Sequence, residues 1–108
     1  MGIALGMKRS KATGTKQFVT EFQKSCDLMA ATRPTAVNLF WAIDPMKRAF
    51  AEAAQAGASV DELKHRLETE ARRIHDEDVE SCRAMGTHGA GLVPDTARIL
   101  THCNAGAL

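Results

Sequence analysis

The sequence predicts a mainly α-helical fold, and three observations support that prediction. Four apolar side chains recur at spacings of four, four and three residues, which is one face of a helix: Phe18, Phe22, Cys26 and Met29. A capping box, with Ser59 at the N-cap and Glu62 three positions later, opens a second long helical pattern. Only residues 98–103 have the pattern of a strand, and a single strand cannot form a sheet.

Composition limits the class of protein. The chain has 108 residues, of which 44% are hydrophobic and 25% charged, as is typical of a folded globular domain. Its net charge of +1 is too small for nucleic-acid binding through bulk electrostatics. No apolar run approaches the length needed to span a membrane. The three cysteines are widely spaced, which disfavours a disulfide framework and predicts a cytoplasmic protein with reduced thiols.

The first helices are delimited by small and capping residues. Residues 2–11 resemble the last part of a helix, with positive charge from Lys8 onward, where the helix dipole favours it. Thr15 is predicted to cap the second helix, which ends at Arg33 because the following proline disfavours helical backbone there. Cys26 lies on the apolar face of this helix, so we interpret it as a core residue and not a reactive thiol.

The third helix is predicted from Ala36 onward, with Thr35 as its cap. Pro45 lies inside the pattern and lacks the N–H that the helix requires, so we expect a kink or a short break at Asp44-Pro45. The apolar residues expected on this helix before and after the break are Val37, Phe40, Trp41, Ile43, Met46, Phe50, Ala53 and Ala54.

The fourth helix is the longest and is predicted to run from the capping box to Met85. Its predicted inward stripe is Leu63, Leu67, Ala71, Ile74, Asp78, Cys82 and Met85. Asp78 is the polar exception, and if buried it would need hydrogen-bonding partners, which indicates a structural network more than catalysis. The opposite face is expected to be solvated and carries Lys64, Arg66, Glu68, Glu70, Arg72, Arg73 and Glu77.

Two residues are candidates for a site. Cys103 ends the predicted strand, a position where ligands and catalytic groups gather in α/β proteins, but a buried structural thiol fits the pattern equally well. Arg33, next to a helix start, could bind a phosphate or carboxylate, although an arginine there is more often a surface residue. A zinc site drawn from His75, Asp78, Cys82 and the later histidines lacks the close ligand spacing of known sites, so no metal is predicted.

Two strings carry a resemblance to a known family: RPTAVNLFWA at 33–42 and THCNAGAL at 101–108. Together with the region 75–86, they resemble the S-methyl-5-thioribose-1-phosphate isomerases of the initiation factor 2B-like superfamily. The resemblance implies an aldose–ketose isomerase of methionine salvage that interconverts S-methyl-5-thio-α-D-ribose 1-phosphate and S-methyl-5-thio-D-ribulose 1-phosphate. It also implies a homodimer that uses no metal or nucleotide cofactor.

The resemblance further implies roles and boundaries within this chain. Cys103 corresponds to the active-site cysteine of the family, and Arg33 to its substrate-contacting arginine. Residues 1–93 would form a helical N-terminal domain, truncated at its start, and residues 94–108 the beginning of a Rossmann-like catalytic domain. The second catalytic residue of the family, an aspartate, and its upstream Arg-Gly-Ala-Pro loop have no counterpart here. We therefore expect an internal fragment that is inactive alone.

Other functions stay open from the sequence. Ribose-1,5-bisphosphate isomerase would perform the same chemistry on a substrate with a different C5 substituent. A regulatory subunit like those of initiation factor 2B would be an interaction module without catalysis, and it would not need a thiol at position 103. A helical scaffold without any site is compatible with the periodicity alone.

Overall fold

The computed structural model describes residues 1–35 and 37–102, and this part of the chain is mainly helical. Its helices are α1 (Gly2–Lys8), α2 (Thr15–Thr32), α3 (Val37–Gln55) and α4 (Val60–Ala90). The chain falls into two compact units, one from Met1 to Asp78 and one from Val79 onward. The predicted mainly helical fold is therefore confirmed. No helix of the described residues has the length and apolar character that crossing a membrane requires.

The core of the first unit is built on α2. Its predicted apolar face is confirmed, since Phe18, Phe22 and Cys26 are buried and Met29 packs against the same cluster. The ring of Phe22 stacks on that of Phe50 from α3, with a centroid distance of 4.0 Å. Buried side chains of the other helices complete this core: Ile3, Ala4, Met7, Ile43, Met46, Leu63, Leu67 and Ala71.

The helix boundaries follow the predictions closely. Helix α1 ends at Lys8, three residues before the end of the segment 2–11 that was predicted as the last part of a helix. Helix α2 begins at Thr15, but its N-cap is the preceding Gly14, whose backbone is extended at φ −123°, so the predicted Thr15 cap was wrong by one residue. Helix α2 ends at Thr32, before Arg33 and Pro34, as predicted.

A kink or a short break was predicted at Asp44-Pro45. Helix α3 is continuous from Val37 to Gln55, so the break was wrong and the kink stays a prediction. Proline removes one hydrogen bond from the helix, and here Pro45 is itself buried. The apolar contacts of this segment offset the missing hydrogen bond because they fix the helix on both sides of the proline.

The capping box at the start of α4 is confirmed. Ser59 Oγ donates to Glu62 Oε2 at 2.7 Å, the Ser59 N–H donates to the same oxygen at 2.8 Å, and the Glu62 N–H donates to Ser59 Oγ at 3.3 Å. These hydrogen bonds from Ser59 lower the pKa of the Glu62 carboxyl. Gly57 lies in the turn before α4 at φ +81°, a backbone conformation that residues with side chains rarely adopt.

Helix α4 extends five residues beyond the predicted end, to Ala90. Its inward stripe is confirmed for Leu63, Leu67 and Ala71, and Ile74 is half-buried. The stripe was wrong beyond that point, because Asp78, Cys82 and Met85 are exposed. Among residues 91–102 no helix or strand forms that could bury the later part of the stripe.

The strand predicted at 98–103 does not form over its described residues, 98–102. A strand requires a neighbour for its backbone N–H and C=O groups, and the described part of the chain contains no second strand. Cys103, at the end of that prediction, lies outside the described residues. The domain boundary after residue 93 stays a prediction.

Candidate functional site

Arg33 lies in the turn that joins α2 to α3. It is the C-cap of α2, with φ −145° and ψ 76°, and its side chain is exposed. Pro34 follows directly and restricts the backbone of Arg33 to a non-helical conformation. Within the described residues its guanidinium takes part in no ion pair, so its N–H donors face solvent and can bind an anion.

The pairing of Arg33 with Cys103 stays a prediction. Arg33 belongs to the first unit, whereas Cys103 lies outside the described residues. Cys26, in contrast, is fully buried in the core, and this burial raises the pKa of its thiol. Its interpretation as a core residue is confirmed.

The other titratable candidates do not converge in the described residues. His75 Nδ1 lies 3.0 Å from Asp76 Oδ1, at an exposed position of α4. Asp78 is exposed and thus needs no buried hydrogen-bonding network. Over residues 1–35 and 37–102, no three side chains of the types that ligate metals come together.

Glu70 is a buried charge that the sequence analysis placed on the solvated face. Its side chain is only 6% exposed and is held by Arg73, whose Nη2 lies 2.5 Å from Oε1 and whose Nε lies 3.2 Å from both oxygens. Arg66 Nη1 lies 3.7 Å from Oε2. The hydrogen bonds from Arg73 are the main cause that lowers the pKa of Glu70, and the charges of Arg73 and Arg66 add to them.

The signal for this cluster was present in the sequence. Glu70 follows the buried Leu67 by three residues, and its arginine partners lie four residues before and three after it. On one helix face such spacing allows both guanidinium groups to reach the carboxylate. Glu70 lies at the edge of the apolar stripe, and for this reason its carboxylate is buried whereas the arginines stay exposed.

We expect Glu70→Gln to destabilise the fold by about 1–2 kcal/mol, because the amide accepts weaker hydrogen bonds from Arg73. The depressed folded pKa makes the contribution of Glu70 fully present above the ordinary glutamate pKa of about 4.3, and it is lost as pH falls through the folded value. Urea unfolding at pH 7 and at pH 3 measures the loss of stability in the variant and its dependence on pH. Glu80→Gln, at an exposed position of the same helix, is the control. Equal losses at pH 7 for the two variants would contradict the role of Glu70.

A mostly apolar cavity of about 290 Å³ lies between α1 and α4 and contains neither predicted site residue. Its walls are Met1, Gly2, Ala4, Leu5, Lys8, Glu68 and Arg72. At its rim Glu68 bonds to Arg72 at 2.9 Å and to Lys8 at 3.1 Å, and these contacts lower the pKa of the Glu68 carboxyl. The three charged side chains of the lining are therefore paired with one another.

Comparison with known proteins decides the family. The family model described as the initiation factor 2 subunit family matches residues 1–108. The chain belongs to that family. The superfamily resemblance inferred from the two strings at 33–42 and 101–108 is thus confirmed, and those strings are part of the matched length.

Proteins named methylthioribose-1-phosphate isomerase are among the relatives of this family member. The one from Geobacter metallireducens is 51% identical over all 108 residues, which cover 31% of that protein. The one from Geotalea daltonii is 48% identical over the same length, again 31% of that protein. A protein named 5-deoxyribose 1-phosphate isomerase, from Moorella thermoacetica, is 46% identical over 108 residues. The chain thus spans about a third of the length of these relatives, and no solved structure matches it.

Proposed function

We propose that this chain is a segment of an aldose–ketose isomerase that acts on S-methyl-5-thio-α-D-ribose 1-phosphate. The observation that carries the proposal is the 51% identity, over the full chain, to the Geobacter metallireducens protein named methylthioribose-1-phosphate isomerase. The product would be S-methyl-5-thio-D-ribulose 1-phosphate, and the pathway methionine salvage. C1 gains the hydrogen that C2 loses as the ring C1–O4 bond breaks, and the released O4 takes up the proton that the C2 hydroxyl gives up, so the reaction needs no external oxidant or reductant.

In this proposal Cys103 is the acid/base group and Arg33 binds the substrate. A thiol that exchanges protons near neutral pH suits the transfer between C1 and C2. A guanidinium suits the phosphate because it donates paired hydrogen bonds to the phosphate oxygens. The exposure of Arg33, at a fixed position between two helices, supports its role.

The remaining parts of the proposed enzyme belong to the longer polypeptide of the family. Residues 94–108 would begin a Rossmann-like catalytic domain, and the second acid/base group, an aspartate, would follow it. We further propose a cytoplasmic homodimer for the complete enzyme.

A second candidate substrate is 5-deoxyribose 1-phosphate, because the Moorella thermoacetica relative carries that name at 46% identity. The two substrates differ only in the C5 substituent, where a methylthio group is replaced by hydrogen. The chemistry at C1 and C2 is the same, so the ratio of kcat/KM for the two sugar phosphates distinguishes them. If neither sugar phosphate were turned over, the result would favour the alternative of a non-catalytic subunit.

We expect the isolated chain of 108 residues to show no isomerase turnover, because two thirds of the length of its relatives lies outside it. The control is a full-length chimera, in which residues 1–108 replace the matching segment of the Geobacter metallireducens relative. Both proteins are incubated with S-methyl-5-thio-α-D-ribose 1-phosphate, and ketose formation is followed by NMR. Turnover by the isolated chain would contradict the proposed division of the site.

A further inference from the structure

A polar cleft of about 230 Å³ between α3 and α4 is lined mainly by charged side chains. Those from α3 are four residues apart, and those from α4 follow at spacings of four and three, so each set lies on one side of its helix. The charged lining residues are Arg48, Glu52, Arg66, Glu70 and Arg73. Three arginines against two glutamates leave this arginine cleft with an excess of one positive charge.

One of the three arginines is already committed to the buried carboxylate. Arg73 donates hydrogen bonds to both oxygens of Glu70 and also pairs with Glu77. These hydrogen bonds are the main cause that lowers the pKa of Glu70. The Glu70–Arg73 pair therefore contributes little net charge to the cleft, and the remaining excess comes from the other two arginines.

These two arginines keep their N–H donors. Arg66 lies 3.7 Å from Glu70 Oε2 and 3.9 Å from Glu52 Oε2, and both distances are too long for hydrogen bonds. Arg48 is exposed and takes part in no ion pair among residues 1–35 and 37–102. Both positive charges act on Glu70, whose pKa each of them lowers. Two guanidinium groups with available donors therefore lie near the same side chain.

We propose that the arginine cleft binds a phosphate group, held by the guanidinium groups of Arg48 and Arg66. A guanidinium presents paired N–H donors in one plane, and two such groups can contact different oxygens of one phosphate. At about 30 Å³ for each water molecule, the cleft has room for roughly seven waters, or for one phosphate group with part of its hydration shell. Arg33, the substrate contact of the proposed isomerase, is not part of the lining, so this binding does not require that activity.

The two glutamates of the cleft select the kind of anion. Glu70 is buried and compensated by Arg73, whereas Glu52 is exposed and makes only the 3.9 Å contact to Arg66, which a ligand oxygen can replace. A phosphate dianion is attracted about twice as strongly as a carboxylate by the same two cations, because Coulomb energy is proportional to charge. The cleft therefore favours a small, doubly charged anion over a singly charged one.

Titration of the isolated chain with inorganic phosphate, and separately with glycerol 3-phosphate, tests the proposal. Binding is measured by calorimetry at pH 8 and constant ionic strength, where both probes are dianions. We expect saturable binding of one equivalent, weakened at least about tenfold by Arg48→Gln and by Arg66→Gln, since each variant loses charged hydrogen bonds. Arg48→Lys keeps the charge without the paired donors and should weaken binding less than Arg48→Gln. Tighter binding of glycerol 3-phosphate would support a phosphate monoester as the ligand, and tighter binding of inorganic phosphate the free ion.

Arg83→Gln is the matched control, because Arg83 is exposed on α4 outside the cleft. It should bind both probes like the parent chain, and circular dichroism checks that every variant is as helical as the parent. Absence of saturable binding to the parent chain would overturn the proposal, and so would an equal loss in Arg83→Gln. A loss in Arg33→Gln, with binding kept in Arg48→Gln and Arg66→Gln, would assign the phosphate to Arg33 and would also overturn it. None of these outcomes depends on turnover, so they are separate from the test of the isomerase activity.

Discussion

Replacing Cys103 with serine in the full-length chimera is expected to lower kcat by about 10²–10⁴-fold, the usual contribution of one acid/base group. A serine hydroxyl has nearly the size of the thiol but does not ionise near neutral pH, so it cannot hold and return the proton of C2. The effect should fall on kcat and leave KM nearly unchanged, because the substrate is bound by other groups. Initial rates with S-methyl-5-thio-α-D-ribose 1-phosphate measure both constants.

Cys82→Ser is the matched control for this variant. Cys82 is exposed on α4, so the same substitution there should leave both kcat and melting temperature close to those of the parent chimera. Normal turnover by the Cys103 variant would refute the catalytic assignment of that residue. A common loss in both variants would show a general sensitivity to thiol replacement and would also count against it.

Leu67→Ala is expected to destabilise the isolated chain by about 2–5 kcal/mol, as is usual for a fully buried leucine. Leu67 is 0% exposed and lies in the cluster that joins α4 to the aromatic side chains of α2 and α3. Its truncation removes apolar contacts and leaves a cavity that the surrounding helices fill only in part. Urea unfolding followed by far-UV circular dichroism measures the change.

Leu28→Ala serves as its control, because Leu28 lies within a helix as well but is 64% exposed. An exposed substitution of this kind normally changes the free energy of unfolding by about 0.5 kcal/mol or less. Similar losses for the two variants would contradict the core described for the first unit. A clear difference supports it independently of any activity.

Local signals were sufficient for much of the helical fold. The spacing of Phe18, Phe22 and Cys26 determines which face of α2 is buried, and the capping box determines where α4 begins. Pro45 shows the limit of such signals, since its effect on a helix depends on how the ring packs, which neighbouring sequence does not reveal. Glu70 was assigned to the wrong side although its arginine partners lie on the same helix at spacings of four and three, because its charge was given more weight than its position at the edge of the apolar stripe.

Features that need a distant partner could not be predicted in this way. The predicted inward stripe on α4 continues through Asp78 and Cys82. Both residues are exposed, because the described residues after α4 form no helix or strand that could cover them. Residues 98–102 likewise have strand-forming side chains without a neighbouring strand. Of the two candidate site residues, Arg33 was correctly placed at the end of a helix by the proline that follows it, whereas Cys103 lies outside the described residues.

The full-length chimera tests the central claim, that these 108 residues are the helical segment of a thioribose-phosphate isomerase. Its conversion of S-methyl-5-thio-α-D-ribose 1-phosphate to the ketose is compared with that of the parent Geobacter metallireducens protein. The account predicts turnover comparable to that of the parent, because this chain would supply both Arg33 and Cys103. A chimera that unfolds in one cooperative transition and yet forms no ketose would contradict it.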